Sequence, residues 1–386
     1  MELLQGRIRD YAWGSRTAIA ELQGRPVPSN GPEAELWLGA HPGAPATVQR
    51  DGRPVSLTEL LVAEPGHWLG ERLVGRFGTR LPFLLKVLAA DAPLSLQAHP
   101  DAEQARAGHA ADVGRVNYVD PYHKPELLVA LSDFDALCGF RDPGESAAAI
   151  AAFGVPALEP VVAALRDGPA GLREAVRLLL SWPQAERAGL VAAVLAAAEA
   201  GPASADAELV RTLASGYPAD PGVVVALLLH HVRLAPGEGI WMPAGNLHAY
   251  LRGTGVEIMA ASDNVLRGGL TPKRVDVAEL LRVLRFEVLT QPVLRPEQVE
   301  PGVQTWPVPV EDFALHRVEV NAGSPGVRLT LPGPRVVLCR AGKLTVDDGV
   351  GVVTLDAGQA AVGTAAGGPL TVGGAGEAFV ATCGMH

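Results

Sequence analysis

Residues 243–248 read Pro-Ala-Gly-Asn-Leu-His, and this stretch decides how the middle of the chain folds. A proline and a glycine two residues apart are typical of a tight turn. The pattern predicts that the turn delivers the imidazole of His248 onto a β-strand, where it is available to bind a metal ion. The alternative is an ordinary β-turn followed by a histidine that packs in the core.

Upstream, residues 94–100 read Leu-Ser-Leu-Gln-Ala-His-Pro, in which apolar and polar residues alternate. A period of two predicts a strand, and residues two apart on a strand point to the same face. Gln97 and His99 would therefore project together, and Pro100 would end the strand. Taken alone, the pattern also fits a surface strand with two polar residues.

A third polar stretch lies between these two. Residues 123–126 read His-Lys-Pro-Glu and precede the apolar residues 127–131, which predict another strand. A solvated loop is the alternative. Side chains from three separate segments, Gln97 with His99, Glu126, and His248, are therefore candidates to hold one divalent metal ion.

A basic cluster follows the histidine turn, because residues 267–274 contain three cations. On a chain whose formal net charge is −10 at pH 7, such a cluster indicates an anionic ligand, and phosphate is the commonest small one. The chain has four lysines, of which Lys86, Lys124 and Lys273 lie in or beside these motifs. Arginine does not replace lysine where a compact ammonium is needed, so these three are candidate functional residues. A plain surface loop is the alternative for the cluster.

The predicted fold is mainly β with an α insertion. Residues 145–215 carry apolar residues at helical spacing, which predicts several short helices, and β-like runs between glycine-rich turns follow residue 288. We predict three domains: a discontinuous β domain of residues 1–141 and 222–287 that carries the motifs, a helical insertion of residues 142–221, and a C-terminal β domain of residues 288–386. Strand structure is expected to return at residues 222–231, and the glycine-rich residues 363–376 are expected to form turns.

The bulk properties exclude several classes of protein. The acidic net charge argues against non-specific binding to nucleic acid, and three scattered cysteines form neither a metal-binding pair nor a disulfide framework. The most apolar run, residues 223–229, is too short to span a bilayer, and the N-terminus has no stretch of signal-peptide type. We expect a cytoplasmic monomer that binds neither nucleic acid nor membrane.

Taken together, the motifs resemble the type I mannose-6-phosphate isomerases, also called phosphomannose isomerases. The resemblance runs in register from about residue 10 to residue 280 and rests on residues 11–14, 34–42, 85–88, 94–101, 123–126, 248–250 and 262–273. It implies two cupin-like jelly-roll domains with an inserted helical domain. The C-terminal domain carries no motif that can be placed.

The resemblance also implies a function. It is that of an aldose-ketose isomerase, which interconverts mannose 6-phosphate and fructose 6-phosphate by proton transfer through a cis-enediol, with one zinc ion (Zn2+) per chain. The implied zinc ligands are Gln97, His99, Glu126 and His248. Arg267 matches the family's proposed catalytic arginine, and Lys124, Glu257 and Lys273 match positions near the substrate.

These residue types suit that reaction. With two neutral histidines, a neutral Gln97 and one carboxylate, zinc would keep a formal charge near +1 and remain a Lewis acid. Proton transfer needs a base with a pKa near the working pH, and the sequence does not choose between Lys124 and Glu257. Arg267 stays protonated, which favours charge stabilisation or substrate orientation. The candidates for phosphate capture are Ser95, Lys86, Lys273 and Arg267.

One departure and two alternatives stand beside this interpretation. Leu247 precedes the ligand histidine where many family members carry proline, and residues 253–255 read Gly-Thr-Gly where an aspartate is common, so the shape of that loop is open. The first alternative is another cupin-type enzyme, such as an iron oxygenase or a sugar epimerase. The second is a non-catalytic sugar-phosphate sensor on the same scaffold.

Overall fold

The computed structural model of the chain describes residues 1–114 and 116–385, and two antiparallel sheets dominate them. The strands in chain order are β1 (Glu2–Leu4), β2 (Arg7–Arg9), β3 (Glu35–Leu38), β4 (Thr47–Arg50), β5 (Arg53–Ser56), β6 (Phe83–Ala90), β7 (Leu96–Ala98), β8 (Glu126–Ala130), β9 (Phe134–Phe140), β10 (Leu229–Leu234), β11 (Gly239–Met242), β12 (His248–Ala260), β13 (Leu266–Gly269), β14 (Glu297–Glu300), β15 (Val303–Thr305), β16 (Ala314–Val320), β17 (Val327–Leu329), β18 (Arg335–Asp347), β19 (Val352–Asp356), β20 (Ala360–Gly363) and β21 (Leu370–Thr382). The prediction of a mainly β fold with an α insertion is confirmed.

The α-helices of the described residues all end by residue 283, and five of them make up the insertion. The α-helices in chain order are α1 (Ala18–Leu22), α2 (Leu57–Ala63), α3 (Pro65–Leu69), α4 (Glu71–Phe77), α5 (Ala102–Ala111), α6 (Pro143–Ala152), α7 (Glu159–Leu165), α8 (Pro169–Leu180), α9 (Arg187–Ala200), α10 (Ala205–Gly216), α11 (Gly222–Val225) and α12 (Val277–Val283). Single 3-10 turns lie at Pro156–Leu158, Gln184–Glu186 and Ala226–Leu228. None of the helices in the described part of the chain is long and apolar enough to cross a membrane.

The first sheet holds Gln97, Glu126, His248 and Arg267 on four of its strands, β7, β8, β12 and β13. Its path is β10-β9-β12-β6-β3-β2, and β7, β8, β11 and β13 pair along its side. Strand β12, with 13 residues, contacts β6, β7, β8 and β9 along different parts of its length. This one strand therefore brings together residues that are far apart in sequence.

Strand β12 contains one extra residue. Against β9, Tyr250 pairs with Ala136 and Arg252 pairs with Asp135, so Leu251 has no partner residue on β9. Such a β-bulge changes which face of the sheet the following residues occupy. The side chains of Tyr250 and Glu257 consequently meet in a hydrogen bond, although an odd spacing of seven would put them on opposite faces of a regular strand.

The helical insertion packs on the end of the first sheet. Leucine and valine side chains of α7, α8, α9 and α10 share one buried core with Leu96, Leu247 and Leu266 of the sheet region. The prediction of strand over residues 222–231 is wrong for residues 222–228, which form α11 and a 3-10 turn, and right from Leu229 onwards. The Asp220 carboxylate accepts the backbone N–H of Gly222 at 2.7 Å and starts a helical turn, which overrides the strand propensity of the valines.

The second sheet is built mostly from the C-terminal third of the chain. Its path is β1-β20-β18-β21-β16-β15-β14, with β17 on β21 and β19 on β18. The expectation of turns over residues 363–376 is wrong from Leu370 onwards, because β21 begins there. Gly374 and Gly376 have φ values of 103° and 153°, and a Cβ there would overlap the backbone of β18. Glycine therefore permits close strand approach here rather than a turn.

The two sheets share a core. Buried side chains of the first sheet pack with the second sheet's aromatic residues in a cluster that includes Leu85, Val87, Ile258, Trp306, Phe313 and Phe379. The chain's first strand, β1, pairs with β20 of the second sheet. The predicted domain boundaries at residues 141, 221 and 287 stay predictions.

Candidate metal centre and substrate cavity

Three predicted metal ligands meet in the interior of the first sheet. His99 follows β7, Glu126 opens β8 and His248 opens β12, and all three are buried. One ligand atom from each of these residues lies within 4.8 Å of the other two. The strand pairing explains the meeting, because β12 holds β7 near its beginning and β8 near its end.

Hydrogen bonds orient both imidazoles. The Nδ1 atom of His99 lies 2.7 Å from the carbonyl oxygen of Asn264, and Nδ1 of His248 lies 3.0 Å from that of Asn246. A carbonyl oxygen only accepts, so each Nδ1 carries the proton and each Nε2 presents a lone pair. Within residues 1–114 and 116–385, neither Nε2 has a hydrogen-bond partner, and neither does Oε2 of Glu126.

The charges of this cluster suit a cation. Burial, assisted by nearby Lys124, lowers the pKa of His99 to about 4, so its imidazole is neutral at pH 7. Burial opposes ionisation of Glu126, but the Lys124 ammonium and the two histidines outweigh it and hold the pKa of Glu126 well below its usual value. Two imidazole nitrogens and one carboxylate, all buried and, in the described part of the chain, with an unpartnered ligand atom each, are a donor set that fits zinc.

The fourth predicted ligand, Gln97, lies in the same row of the sheet. His248 of β12 is directly opposite Gln97 of β7, which in turn is opposite Arg267 of β13. Directly opposite residues of an antiparallel pair point to the same face. Gln97 also lines the cavity beside the cluster. Its role as a ligand stays a prediction that this register supports.

A cavity of about 700 Å³ opens in front of the cluster. This volume lies within the usual range for small-molecule sites. Most of the predicted site residues line it, namely Lys86, Ser95, Gln97, Lys124, Glu126, Glu257, Arg267 and Lys273. His99 and His248 are not among the lining residues and contact the site through Glu126, from which their Nε2 atoms are 3.4 and 3.2 Å away.

Lys86 and Glu257 face each other from paired strands. They are opposite one another in the β6–β12 register, and Nζ of Lys86 lies 2.9 Å from Oε2 of Glu257. Burial disfavours the ammonium, yet Glu257 and Glu35 raise the pKa of Lys86 and keep it charged. Burial, together with Glu126 and Glu35, raises the pKa of Glu257. Both residues were proposed from the sequence, and neither assigned role is tested by these contacts.

Three residues that the sequence did not single out complete this network. The Tyr250 hydroxyl donates to Oε1 of Glu257 at 2.7 Å, Lys86 also contacts Oε1 of Glu35 at 3.4 Å, and the Trp37 indole donates to Oε2 of Glu35 at 2.8 Å. The alternation of Glu35 and Trp37 on β3 was a usable signal. Tyr250 lies in a motif that carries the family resemblance, but the bulge at Leu251 hides from the sequence that its side chain shares a face with Glu257.

The other cations of the cavity differ in their partners. Nζ of Lys124 lies 3.2 Å from Oε1 of Glu126. Among the residues described, the side chains of Arg267 and Lys273 make neither an ion pair nor a hydrogen bond, although both line the cavity. Burial lowers the pKa of Arg267 but leaves it a cation at neutral pH. Arg267 and Lys273 are therefore free to receive an anionic group. Ser95 lines the same cavity.

Asn264 is a further residue that the sequence did not single out. Its carbonyl oxygen accepts from His99, and its side-chain amide donates to the carbonyl oxygens of Asp120 and Tyr122, each at 2.8 Å. It therefore links one ligand to the segment that leads to Glu126. Nothing in the local pattern of residues 262–264 distinguishes such a role from that of a polar loop.

Comparisons with known proteins agree with this site. A family description, phosphomannose isomerase type I, catalytic domain, matches residues 1–143. The mannose-6-phosphate isomerase of Escherichia coli (strain K12) is 37% identical over 394 residues, which cover 98% of this chain and 98% of that protein. A crystal structure of a phosphomannose isomerase variant from Salmonella typhimurium has a TM-score of 0.91 at 32% identity, with 100% of both chains covered. A zinc-bound crystal structure of mannose 6-phosphate isomerase also gives 0.91 at 32% identity and covers 100% of this chain and 99% of that one. As its motifs predicted, the chain belongs to the type I phosphomannose isomerase family.

Proposed function

We propose that this chain is a zinc-dependent mannose-6-phosphate isomerase, which interconverts mannose 6-phosphate and fructose 6-phosphate. The observation that carries the proposal is the position of the His99, Glu126 and His248 cluster beside a cavity lined by two cations, Arg267 and Lys273, whose side chains have no ion-pair partner among the described residues. A metal site with anion-binding groups next to it suits a sugar phosphate. Family membership and the isomerase names of the relatives support the same reaction.

The metal would be held by His99, Glu126 and His248, with Gln97 as the fourth ligand. When bound, zinc supplies Lewis-acid stabilisation of negative charge on sugar oxygens. The prediction of one zinc ion per chain is supported by the zinc-bound relative and by three buried ligand atoms that have no hydrogen-bond partner in the part of the chain that the structure describes. The neutral amide of Gln97 would leave the centre more positive than a second carboxylate would.

Proton transfer between C2 and C1 falls to Lys124 or Glu257, both of which line the cavity. Each oxygen of Glu257 already accepts a hydrogen bond, from Tyr250 and Lys86, so substrate would have to displace one donor. Lys124 contacts one carboxylate, Glu126. The contacts thus favour Lys124 as the group that moves the proton and Glu257 as the group that fixes Lys86.

The phosphate would be received by Arg267 and Lys273, assisted by Ser95. This assignment is supported by the lack of ion pairs from Arg267 and Lys273 to any residue of 1–114 and 116–385. Lys86 was also a candidate, but its ammonium already lies between two carboxylates, which favours a place near the sugar rather than the phosphate. Binding energy from the non-reacting phosphate would orient the sugar in front of the metal centre.

The decisive test is turnover of mannose 6-phosphate by the purified, zinc-loaded chain in an assay coupled to fructose 6-phosphate. Removal of a transition-state charge contact commonly costs about 100- to 1000-fold in kcat, so we expect Arg267→Ala to lower kcat by that order. Arg267→Lys keeps the charge and should retain more activity. Bound zinc should stay at the wild-type level in both variants. Absence of turnover by the zinc-loaded wild type would overturn the proposal and leave a sugar-phosphate sensor.

We further propose that the chain acts as a cytoplasmic monomer with a small sugar phosphate as its partner, without nucleic acid or membrane. A cavity formed within one chain supports this, because no second copy is needed to complete the site. Light scattering of the purified protein tests the oligomeric state, and fractionation of the source cells tests the compartment.

A further inference from the structure

We propose that the C-terminal domain takes part in the reaction through Asp312, which holds His123 and thereby positions Lys124 and Glu126. His123 and Asp312 are positioning residues in this account, because neither lines the cavity. The proposal depends on the proposed function, since it assigns a role to residues that support that site. It gives the C-terminal domain, whose purpose the sequence leaves open, a defined connection to the metal centre.

The segment before Glu126 has no regular structure of its own, so side chains must hold it. On one side, the loop between β12 and β13 supplies those contacts. Ser262 Oγ donates to the carbonyl oxygen of Tyr122 at 3.1 Å, and the Asn264 amide donates to the same oxygen. The Arg80 guanidinium lies 3.6 Å from the centre of the Tyr122 ring. All of these contacts end at Tyr122.

The side chain of the next residue, His123, contacts the C-terminal domain instead. Its Nε2 lies 2.9 Å from Oδ2 of Asp312, a residue of the C-terminal domain just before β16. Asp312 is buried, whereas the His123 side chain is about one third exposed. The adjacent Phe313 packs edge-on against Trp241 of β11, with ring centres 6.2 Å apart. Asp312 is therefore a fixed point and not a mobile surface carboxylate.

Beyond His123 the chain leads directly into the site. The Lys124 ammonium lies 3.2 Å from Glu126, and Pro125 between them has a fixed φ. From Glu126 onwards, β8 is paired on both sides, by β11 and β12. Lys124 is thus the residue between the last side-chain anchor and the first strand pair. A small displacement of His123 would shift the Lys124 ammonium relative to the substrate, and misplacement of about 1 Å is costly in catalysis.

The competing explanation is that this pair only joins the two domains. A matched pair is available to separate the two explanations. Arg76 of α4 contacts Glu311, the neighbour of Asp312, with Nε 2.8 Å from Oε2. It also links the first part of the chain to the C-terminal domain, but Arg76 lies far in sequence from the segment that carries Lys124. Loss of this pair should weaken the contact between the first part of the chain and the C-terminal domain, but it should not displace Lys124 or Glu126.

The experiment compares His123→Ala, His123→Gln and Arg76→Ala in the full-length, zinc-loaded protein. Glutamine keeps a donor near the position of Nε2 and should restore the bond to Asp312. For each variant we would measure kcat and KM for mannose 6-phosphate, the melting temperature, and the rate at which a chelator removes zinc. His123→Ala is preferred to a change at buried Asp312 because His123 is partly exposed and its variant is better placed to fold.

We expect His123→Ala to lower kcat by about 10- to 100-fold and to speed zinc release, with a smaller change in KM. His123→Gln should recover most of both losses, and Arg76→Ala should leave both at the wild-type level. Equal effects of His123→Ala and Arg76→Ala, or a lowered melting temperature with normal kcat and zinc release, would overturn the positioning role. If the wild type shows no turnover, the proposed function fails, while the zinc-release rates still test the positioning of Glu126.

Discussion

At the metal centre, each ligand is held by a second residue whose own position is fixed. His99 and His248 donate to the backbone carbonyls of Asn264 and Asn246, and Glu126 lies between Lys124 and both imidazoles. These outer contacts decide which nitrogen of each imidazole carries the proton, and they keep the Glu126 carboxylate ionised. Gln97, the proposed fourth ligand, would add a neutral donor at a position where a second carboxylate would add negative charge.

Gln97→Glu should retain zinc but lower kcat. A second carboxylate would cancel the remaining positive charge of the centre and weaken its hold on negative charge that develops on the substrate. We expect a loss of about 10- to 100-fold in kcat, with zinc content by elemental analysis near one per chain. Gln97→Met, which is neutral but a poorer ligand for zinc, serves as the control. An unchanged kcat in Gln97→Glu would show that catalysis does not depend on a neutral side chain at position 97.

Tyr250→Phe should move the acidic limb of the pH profile of kcat to higher pH. The Tyr250 hydroxyl donates to Glu257 and favours its ionised form, while burial raises the pKa of Glu257. Loss of the hydroxyl raises that pKa further, so the carboxylate becomes protonated at a higher pH and activity falls there. A kcat profile over pH checks this shift. An acidic limb that stays in place or moves to lower pH would contradict it.

The candidate metal ligands, which lie in long motifs, could be predicted from the sequence. The residues that hydrogen-bond to the site residues could not. His99, Glu126 and His248 meet as predicted, because each is the polar end of an apolar strand. Asn264 and Tyr250 contact residues that are distant from them in sequence or separated by the bulge. The spacing of residues within a motif does not predict such contacts. Lys86 was proposed for phosphate capture from its residue type and motif, and the sequence did not show that its two carboxylate partners lie on other strands; the phosphate role stays a prediction.

At the scale of elements, strand β13 depends on close contact with α11, the short helix that follows the helical insertion. Gly269 has a φ of 121°, and a Cβ there would lie 2.8 Å from the Cα of Gly222 in α11. Two residues earlier on the same strand, Arg267 faces the cavity. The backbone contact between β13 and α11 therefore sets the position of a proposed catalytic side chain.

Gly269→Ala should destabilise the protein and lower activity together. A non-glycine residue at this φ costs about 1–3 kcal/mol, and the overlap with α11 would also displace β13. Gly189→Ala is the control, because Gly189 lies in α9 with open space around it and alanine favours helices. Thermal unfolding and kcat would be measured for both. Equal melting temperatures in the two variants would show that the contact is dispensable.

Most elements could be predicted from periodicity, and the exceptions have physical causes. Helices α8 and α9 lie where apolar residues recur at helical spacing. Residues 222–228 were misassigned because an aspartate contact, not valine propensity, starts that turn. Residues 370–376 were misassigned because glycine serves strand approach as well as turns. In both cases a tertiary contact overrides the local preference.

At the scale of the whole molecule, a metal ion would join parts of the fold that the chain connects only through long detours. The ligands lie on β7, β8 and β12, and the helical insertion separates the second of these from the third. Without a cation, three buried ligand atoms have no hydrogen-bond partner among the described residues. The centre should therefore contribute to global stability as well as to catalysis.

Removal of zinc by a chelator should lower the melting temperature of the wild type. At a free zinc concentration of about 1000 times Kd, the ion stabilises the native state by about 4 kcal/mol. His248→Ala should bind less zinc and should melt at the same low temperature with or without chelator. Full zinc content in His248→Ala, measured by elemental analysis, would remove that residue from the ligand set.

The bulge at Leu251 has a consequence for how this chain can diverge. Tyr250 and Glu257 share a face only because one additional residue stands between them on β12. Deleting a single codon there would send Glu257 and its alternate neighbours to the far side of the sheet, whereas exchanging Leu251 for another apolar residue would not. In functional relatives that descend from this gene, we therefore expect the number of residues in β12 to vary far less than the identity of its apolar residues.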